Sequence, residues 1–232
     1  MPLPGKSELA STEAGSTITG IVISGKPVIG IVGGIGSGKS YIADLFGQLG
    51  CFVSKSDEHV HDAYRRPEVI EQVRKWWGDE VISPDGEVDR RAIARRVFND
   101  PGALKRLEAL IHPLVGQIRD EKTQEALKSG DVKAIIWDIP LLYEVGLDGH
   151  CDAVVFVDAP LELRQQRVMQ TRGWQPDELL RREKSQLPLD KKRELAQYIV
   201  HNTADAAIAR RQVEAVLSRI LAQVMDADPG QG

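Results

Sequence analysis

Apolar residues along the chain gather into five short, nearly unbroken runs separated by longer stretches of helical period. "PVIGIV" (27–32), "CFVS" (51–54), "AIIWDIP" (134–140), "AVVFVDAP" (153–160) and "YIVHN" (198–202) are rich in β-branched residues and do not alternate with polar ones, the pattern of strands buried on both faces. Between them the spacing predicts helices from Lys39 to about Gln48, from about Asp57 to Tyr64 and from Glu68 to Trp77. "SPDG" (83–86) reads as a turn. Asp89 is a candidate N-cap for "RRAIARRVF", in which Ile93, Ala94 and Val97 recur at helical spacing. The long segment from Asp100 to Gly130 is helical in pattern, with Pro113 expected to break or bend it near His112. Further helices are expected from Leu161 to about Thr171, after Pro176 to about Gln197, and from 204 to 225. Strands alternating with helices predict an α/β fold, a doubly wound five-stranded parallel sheet that binds ligands at the carboxyl ends of its strands.

Composition narrows the class. The 232 residues are 42% apolar, enough for a sizeable core in one domain with insertions. A formal net charge of −4 argues against a general nucleic-acid binder, so an anionic ligand must be held by locally placed Arg and Lys. Cys51 and Cys151 each adjoin an apolar run and have no CxxC partner, which points to reduced, strand-end residues rather than a metal site. Residues 1–27 carry no signal-peptide pattern and are expected to form a flexible extension, although "ITGIVISGK" (18–26) echoes the later "IGIVGGIGSGK". No apolar run reaches membrane-spanning length. The expectation is a cytoplasmic protein, a monomer or weak homo-oligomer, with no nucleic-acid or membrane partner.

Gly33-Gly34-Ile35-Gly36-Ser37-Gly38-Lys39-Ser40 matches GxxxxGK[ST] in full, between a strand and a helix. Its glycines let backbone N–H groups turn toward phosphate oxygens, and the helix N-terminus adds a favourable dipole. Lys39 would reach the β- and γ-phosphates of a nucleoside triphosphate, and the Ser40 hydroxyl would ligate Mg²⁺. Asp138, closing "AIIWD", stands where a second metal-organising carboxylate is expected; a strand-end cap is the alternative.

The stretch Ser54-Lys55-Ser56-Asp57 differs from the guanine-reading Asn-Lys-x-Asp only at its first residue. Its position argues against that role: a base reader belongs at a late strand, and this stretch follows the second. There Asp57 would face an acceptor across the γ-phosphate and take a hydroxyl proton, or would serve as a helix N-cap. A segment rich in Arg and Lys after the fourth strand suits a kinase lid, and Arg167 and Arg172 are singled out beside the Gly173 turn. His59, His61 and Asp62 are discounted as a metal site because residues two apart on a helix do not share a face. Trp76 and Trp77 read as packing, with contact to the acceptor as the alternative for one of them.

Taken in order, "IGIVGGIGSGKS", Asp57, "DGEVDRRAIARRVFND", "LEALIHP", "DIPLLYE", "RQQRV" with Arg172, and "IVHN" resemble the dephospho-CoA kinase family over about residues 28–216. The phosphate loop alone is generic; "DIPLLYE" together with the two helical motifs is far more specific. The resemblance implies transfer of the ATP γ-phosphoryl group to the ribose 3′-hydroxyl of dephospho-CoA, the last step of coenzyme A synthesis. It implies a core (28–56, 130–160 and 196–225), a helical acceptor-side insert (about 57–129), a lid (about 164–195) and a short tail (226–232). It also implies Asp57 as the carboxylate at the 3′-hydroxyl, with Arg90, His112, Pro140, Leu141, Leu142 and Glu144 on the acceptor side. Arg167 and Arg172 would face phosphate, and Asn202 would lie near adenine. Two departures stand out: Lys55-Ser56-Asp57 replaces the usual Asp-Ala-Asp, and Tyr41 follows Ser40 where Thr is usual. Lys55 would either lower the pKa of Asp57 or point away across the strand.

Overall fold

The computed structural model describes residues 26–98 and 100–227. Most of the expected extension, with its glycine-containing echo, and the tail from 228 lie outside the described residues. Five strands, β1 (Val28–Gly33), β2 (Phe52–Lys55), β3 (Ile135–Asp138), β4 (Ala153–Asp158) and β5 (Tyr198–His201), form one parallel sheet in the order β2-β3-β1-β4-β5. The sheet is doubly wound, as the apolar runs predict. β3 and β4 stop at their aspartates, two residues short of the prolines that end the apolar runs.

Alternate residues of β1 serve two cores. Ile29 and Ile31 pack with Ile42 and Phe46 of α1 (Lys39–Gln48) and with Val213 and Ile220 of α9 (Ala206–Ala227). Val28 and Val32 face the other side, with Trp137, Leu142 and Phe156. Gly30 is required by this second layer, because a β-carbon there would lie 2.5 Å from Leu142 Cδ2. α9 runs two residues past the expected end at 225.

Between β2 and β3 the chain forms α2 (Ser56–Tyr64), α3 (Pro67–Trp77), α4 (Arg90–Val97) and α5 (Pro101–Leu127). They share a separate apolar cluster of Ala63, Val69, Val73, Ile93, Leu107, Ile111 and Ile118, against which Trp76 and Trp77 pack. Asp89 caps α4 as expected, accepting bonds from the N–H groups of Arg91 (2.9 Å) and Ala92 (3.1 Å). Of the break or bend expected at Pro113, the break does not occur: α5 is one 27-residue helix. A proline inside a helix costs about 3 kcal/mol, through a lost N–H bond and a clash with the carbonyl four residues back. Leu107, Ile111 and Ile118 are buried along one face of this helix, each contributing roughly 1.5–3 kcal/mol, and together they outweigh that cost.

After β4, α6 (Leu161–Arg172) ends at Gly173, whose φ of 67° lies in the left-handed region. The single helix expected up to about Gln197 is instead two, α7 (Pro176–Glu183) and α8 (Leu189–Leu195). Pro188 accounts for the division, since it disfavours helical backbone at Leu187.

Candidate active site

The carboxyl ends of β1, β2 and β3 open into a cleft of about 990 Å³, closed on its other side by α6, α7 and the chain after β5. Ile35, Gly36, Gly38, Lys39, Ser40, Asp57, Asp138, Pro140, Arg167, Arg172 and Asn202 all line it. Residues from five separate segments of the chain are thus brought together.

Sterics shape the phosphate loop. Gly36 and Gly38 have φ values of 76° and 88°. A β-carbon on Gly38 would lie 2.2 Å from the Asn202 amide nitrogen, so side-chain-free backbone and Asn202 fit only each other. The loop opens α1 with no side-chain cap, which leaves the helix's first N–H groups free to bind an anion. Asn202 Nδ2 donates to the Ser37 carbonyl at 2.8 Å, and Arg167 Nη1 donates to the same oxygen at 3.1 Å. A second guanidinium nitrogen of Arg167 reaches Asn202 Oδ1 at 3.3 Å. Arg167 therefore braces the loop from outside, and partial burial lowers its pKa. Ser37 is fully buried and its hydroxyl has no protein partner. Gly34 and Ser37 belong to the loop without lining the cleft.

Lys39 donates from Nζ to the carbonyls of Gly33 (3.2 Å) and Gly34 (3.1 Å). Burial pushes its pKa down to about 8; Asp138 opposes the shift, while Lys192 and Arg172 add to it. Ser40 Oγ donates to Asp138 Oδ2 at 2.6 Å, joining the first turn of α1 to the end of β3. A hydroxyl and a carboxylate so placed are the hard oxygen donors that a divalent cation takes. Burial raises the Asp138 pKa and the Ser40 bond and Lys39 lower it, with Asp57 adding a further push upward. Asp57 sits in the first turn of α2; the N-cap position itself is held by Lys55, without a side-chain cap bond. Lys55 turns toward α1, where its ammonium meets Asp44 Oδ1 at 2.8 Å, with Glu58 at 3.9 Å. Even so engaged, Lys55 still lines the cleft together with Asp57.

The acceptor-side motifs are dispersed. Pro140 lines the cleft and Leu142 is core, whereas Leu141, Glu144, Arg90 and His112 do not line it. Glu144 receives a hydrogen bond from the Leu187 N–H at 2.9 Å and meets the buried Lys192 ammonium at 2.8 Å, so it ties the β3 loop to α8. The guanidinium of Arg90 lies 5.5 Å from the Tyr64 ring centroid, and His112 is exposed on α5. His59 is buried with Nε2 2.8 Å from Ser54 Oγ, and no cluster of metal-binding side chains occurs among the described residues.

Two cleft or loop residues escaped sequence reading. Trp174 lines the cleft beneath two guanidinium groups, Arg172 at 4.9 Å and Arg182 at 4.3 Å from its ring centroid. Glu183 reaches the phosphate loop from 148 residues away. The density of Arg after β4 was the only sequence signal near either of them.

Known proteins of one family resemble this chain in sequence and in fold. A family model described as dephospho-CoA kinase matches residues 27–207. A dephospho-CoA kinase of Anaeromyxobacter dehalogenans is 40% identical over 176 residues, 75% of this chain and 83% of its own. One from Thermus thermophilus is 37% identical over 193 residues, covering 83% and 91%. Among solved structures, TT1252 from Thermus thermophilus superposes with a TM-score of 0.69 at 36% identity, over 84% of this chain and 97% of that one. A Campylobacter jejuni dephospho-CoA kinase superposes at 0.60 with 24% identity over 85% and 98%, a likeness of fold. The chain belongs to the dephospho-CoA kinase family.

Proposed function

We propose that this enzyme transfers the γ-phosphoryl group of ATP to the ribose 3′-hydroxyl of dephospho-CoA, completing coenzyme A. One observation carries the reading: a carboxylate, Asp57, shares a cleft with Lys39 and the Ser40–Asp138 pair, which supports its role as a proton acceptor facing a phosphate-holding loop. The uncapped loop amides and Lys39 would hold the triphosphate. Ser40 and Asp138 suit Mg²⁺ by donor chemistry, and the ion when bound neutralises charge developing on the phosphate oxygens. Asp57 orients the acceptor hydroxyl and takes its proton as the new P–O bond forms and the bond to the β-phosphate oxygen breaks. Arg172 and Arg182 supply cations to the equatorial oxygens, and Arg167 keeps the loop curled around them. Asn202, beside Ser37 and near Ala204 in the cleft wall, belongs to the nucleotide end.

In this reading α2–α5 form the acceptor-side insert and α6–α8 a lid. Arg90 and His112, outside the cleft, lie on the helices along which the long pantetheine arm of the acceptor would extend. A reduced cytoplasmic setting suits the two free cysteines, and no described helix is long and apolar enough to cross a membrane.

The test is ADP release with dephospho-CoA, nucleosides and nucleoside monophosphates offered side by side. Only dephospho-CoA is expected to stimulate release, and an equal or greater response to another acceptor would overturn the assignment. Asp57→Asn is expected to abolish turnover with ATP affinity near that of the wild type; wild-type turnover would remove Asp57 from its role.

A further inference from the structure

The tightest link between the phosphate loop and the helices beyond β4 is made by two residues with no part in the chemistry above. Glu183, the last residue of α7, accepts the Ile35 N–H at 2.9 Å. Arg164, on α6, donates from Nη1 to the Ile35 carbonyl at 3.3 Å and to Glu183 Oε1 at 2.5 Å. One ion pair thus holds both backbone polar groups of a single loop residue. Its side chains are only 7% and 14% exposed.

A pair serving only to join α6 to α7 would need no bond to the loop, and this pair makes two. Gly34 is shaped to receive it, for a β-carbon there would lie 2.6 Å from Arg164 Nη1 and 2.9 Å from Glu183 Oε1. Glu183 also lies near enough to Lys39 to raise that ammonium's pKa, so its charge is felt at the site. Gly33, Gly34, Gly36 and Gly38 make this the backbone segment with the most freedom to lose when a nucleotide orders it. A contact that orders it beforehand removes that cost from binding.

We propose that Arg164 and Glu183 are positioning residues for ATP: together they fix the Ile35 peptide and hold the phosphate loop in its anion-accepting curl before nucleotide arrives. They also couple the loop to α7, whose Arg182 lines the cleft. The inference rests on the phosphoryl-transfer reading only in taking this loop as the ATP site. ATP affinity measured without acceptor therefore tests it whatever the acceptor proves to be.

The experiment compares Arg164→Leu/Glu183→Leu with Glu183→Gln by calorimetric titration with Mg-ATP. The double variant leaves no unpaired buried charge and is expected to fold. Its ATP affinity is expected to fall about tenfold while its unfolding midpoint stays near that of the wild type, whereas the glutamine variant, which keeps an acceptor for the Ile35 N–H, binds within threefold of wild type. A loss below threefold in the folded double variant overturns the proposal, because a purely structural pair would give that result. Hydrogen exchange in the nucleotide-free wild type needs no variant: the Ile35 amide is expected to be protected at least tenfold, and exchange at the unprotected rate overturns the proposal equally.

Discussion

Lys39 carries the clearest electrostatic consequence at the scale of single residues. Its ammonium is held between loop carbonyls in a site whose burial lowers its pKa from 10.5 to about 8. The unfolded chain holds the lysine proton up to pH 10.5 and the folded chain only up to about 8, so the unfolded state binds more protons between these values. The lysine's contribution therefore makes stability rise with pH across that window and leaves its full destabilisation in place below it. A bound triphosphate reverses the preference, because an anion beside Lys39 favours the ammonium. ATP binding is thus expected to take up close to one proton near pH 9 and little at pH 7, with affinity weakening above pH 8. Calorimetry in buffers of different ionisation enthalpy measures the uptake; none between pH 8 and 9.5 would refute the shifted lysine. The same scale explains what local sequence could and could not reveal. Lys39, Ser40 and their glycines were legible because the loop's geometry is set by neighbours in sequence. Asp138 was legible because it ends an apolar strand. Glu183 and Trp174 were not, since each acts across a fold that their own neighbourhoods do not specify. Glu144 was legible as a motif residue, yet its partner Lys192 draws it into a structural tie.

At the scale of elements, strand runs and helix periods placed every strand among the described residues, and the larger errors fell at prolines. Pro113 signals a break that packing overrides, and Pro188 divides a stretch whose polar periodicity looks continuous. Both outcomes turn on how much apolar surface each helix buries, which α5 has in quantity and the α7–α8 segment has not. The cluster holding α2–α5 together contains no residue of the sheet. Ile93, 2% exposed within it, is therefore expected to support the helical segment without supporting the phosphate loop. Ile93→Ala should lower the unfolding free energy by about 2–5 kcal/mol, raise KM for dephospho-CoA and leave ATP affinity within twofold of wild type. Denaturant titration and calorimetry read the two quantities separately. A matching loss of ATP affinity would mean that the segment and the core respond as one unit.

At the scale of the whole molecule, the cleft brings cations from one end of the fold to carboxylates from the other. Asp57 and Asp138 stand at the ends of β2 and β3, and Arg172 and Arg182 come from the helices beyond β4. In the structure both guanidinium groups lie over the Trp174 ring. A cation–π contact at an exposed site contributes about 0.5–1 kcal/mol, whereas a hydrogen bond to a charged group contributes about 1.5–3 kcal/mol. A triphosphate in the loop should therefore draw one or both guanidinium groups from the indole. Of the four tryptophans only Trp174 lines the cleft, so the movement is visible as a change in its fluorescence. Mg-ATP is expected to shift emission in the wild type but not in Trp174→Phe, which keeps an aromatic face for the arginines while removing the reporter. An unchanged spectrum on saturation, or an undiminished change in the phenylalanine variant, would mean that these arginines stay where they are and that the phosphate charge is met by Lys39 and the loop alone.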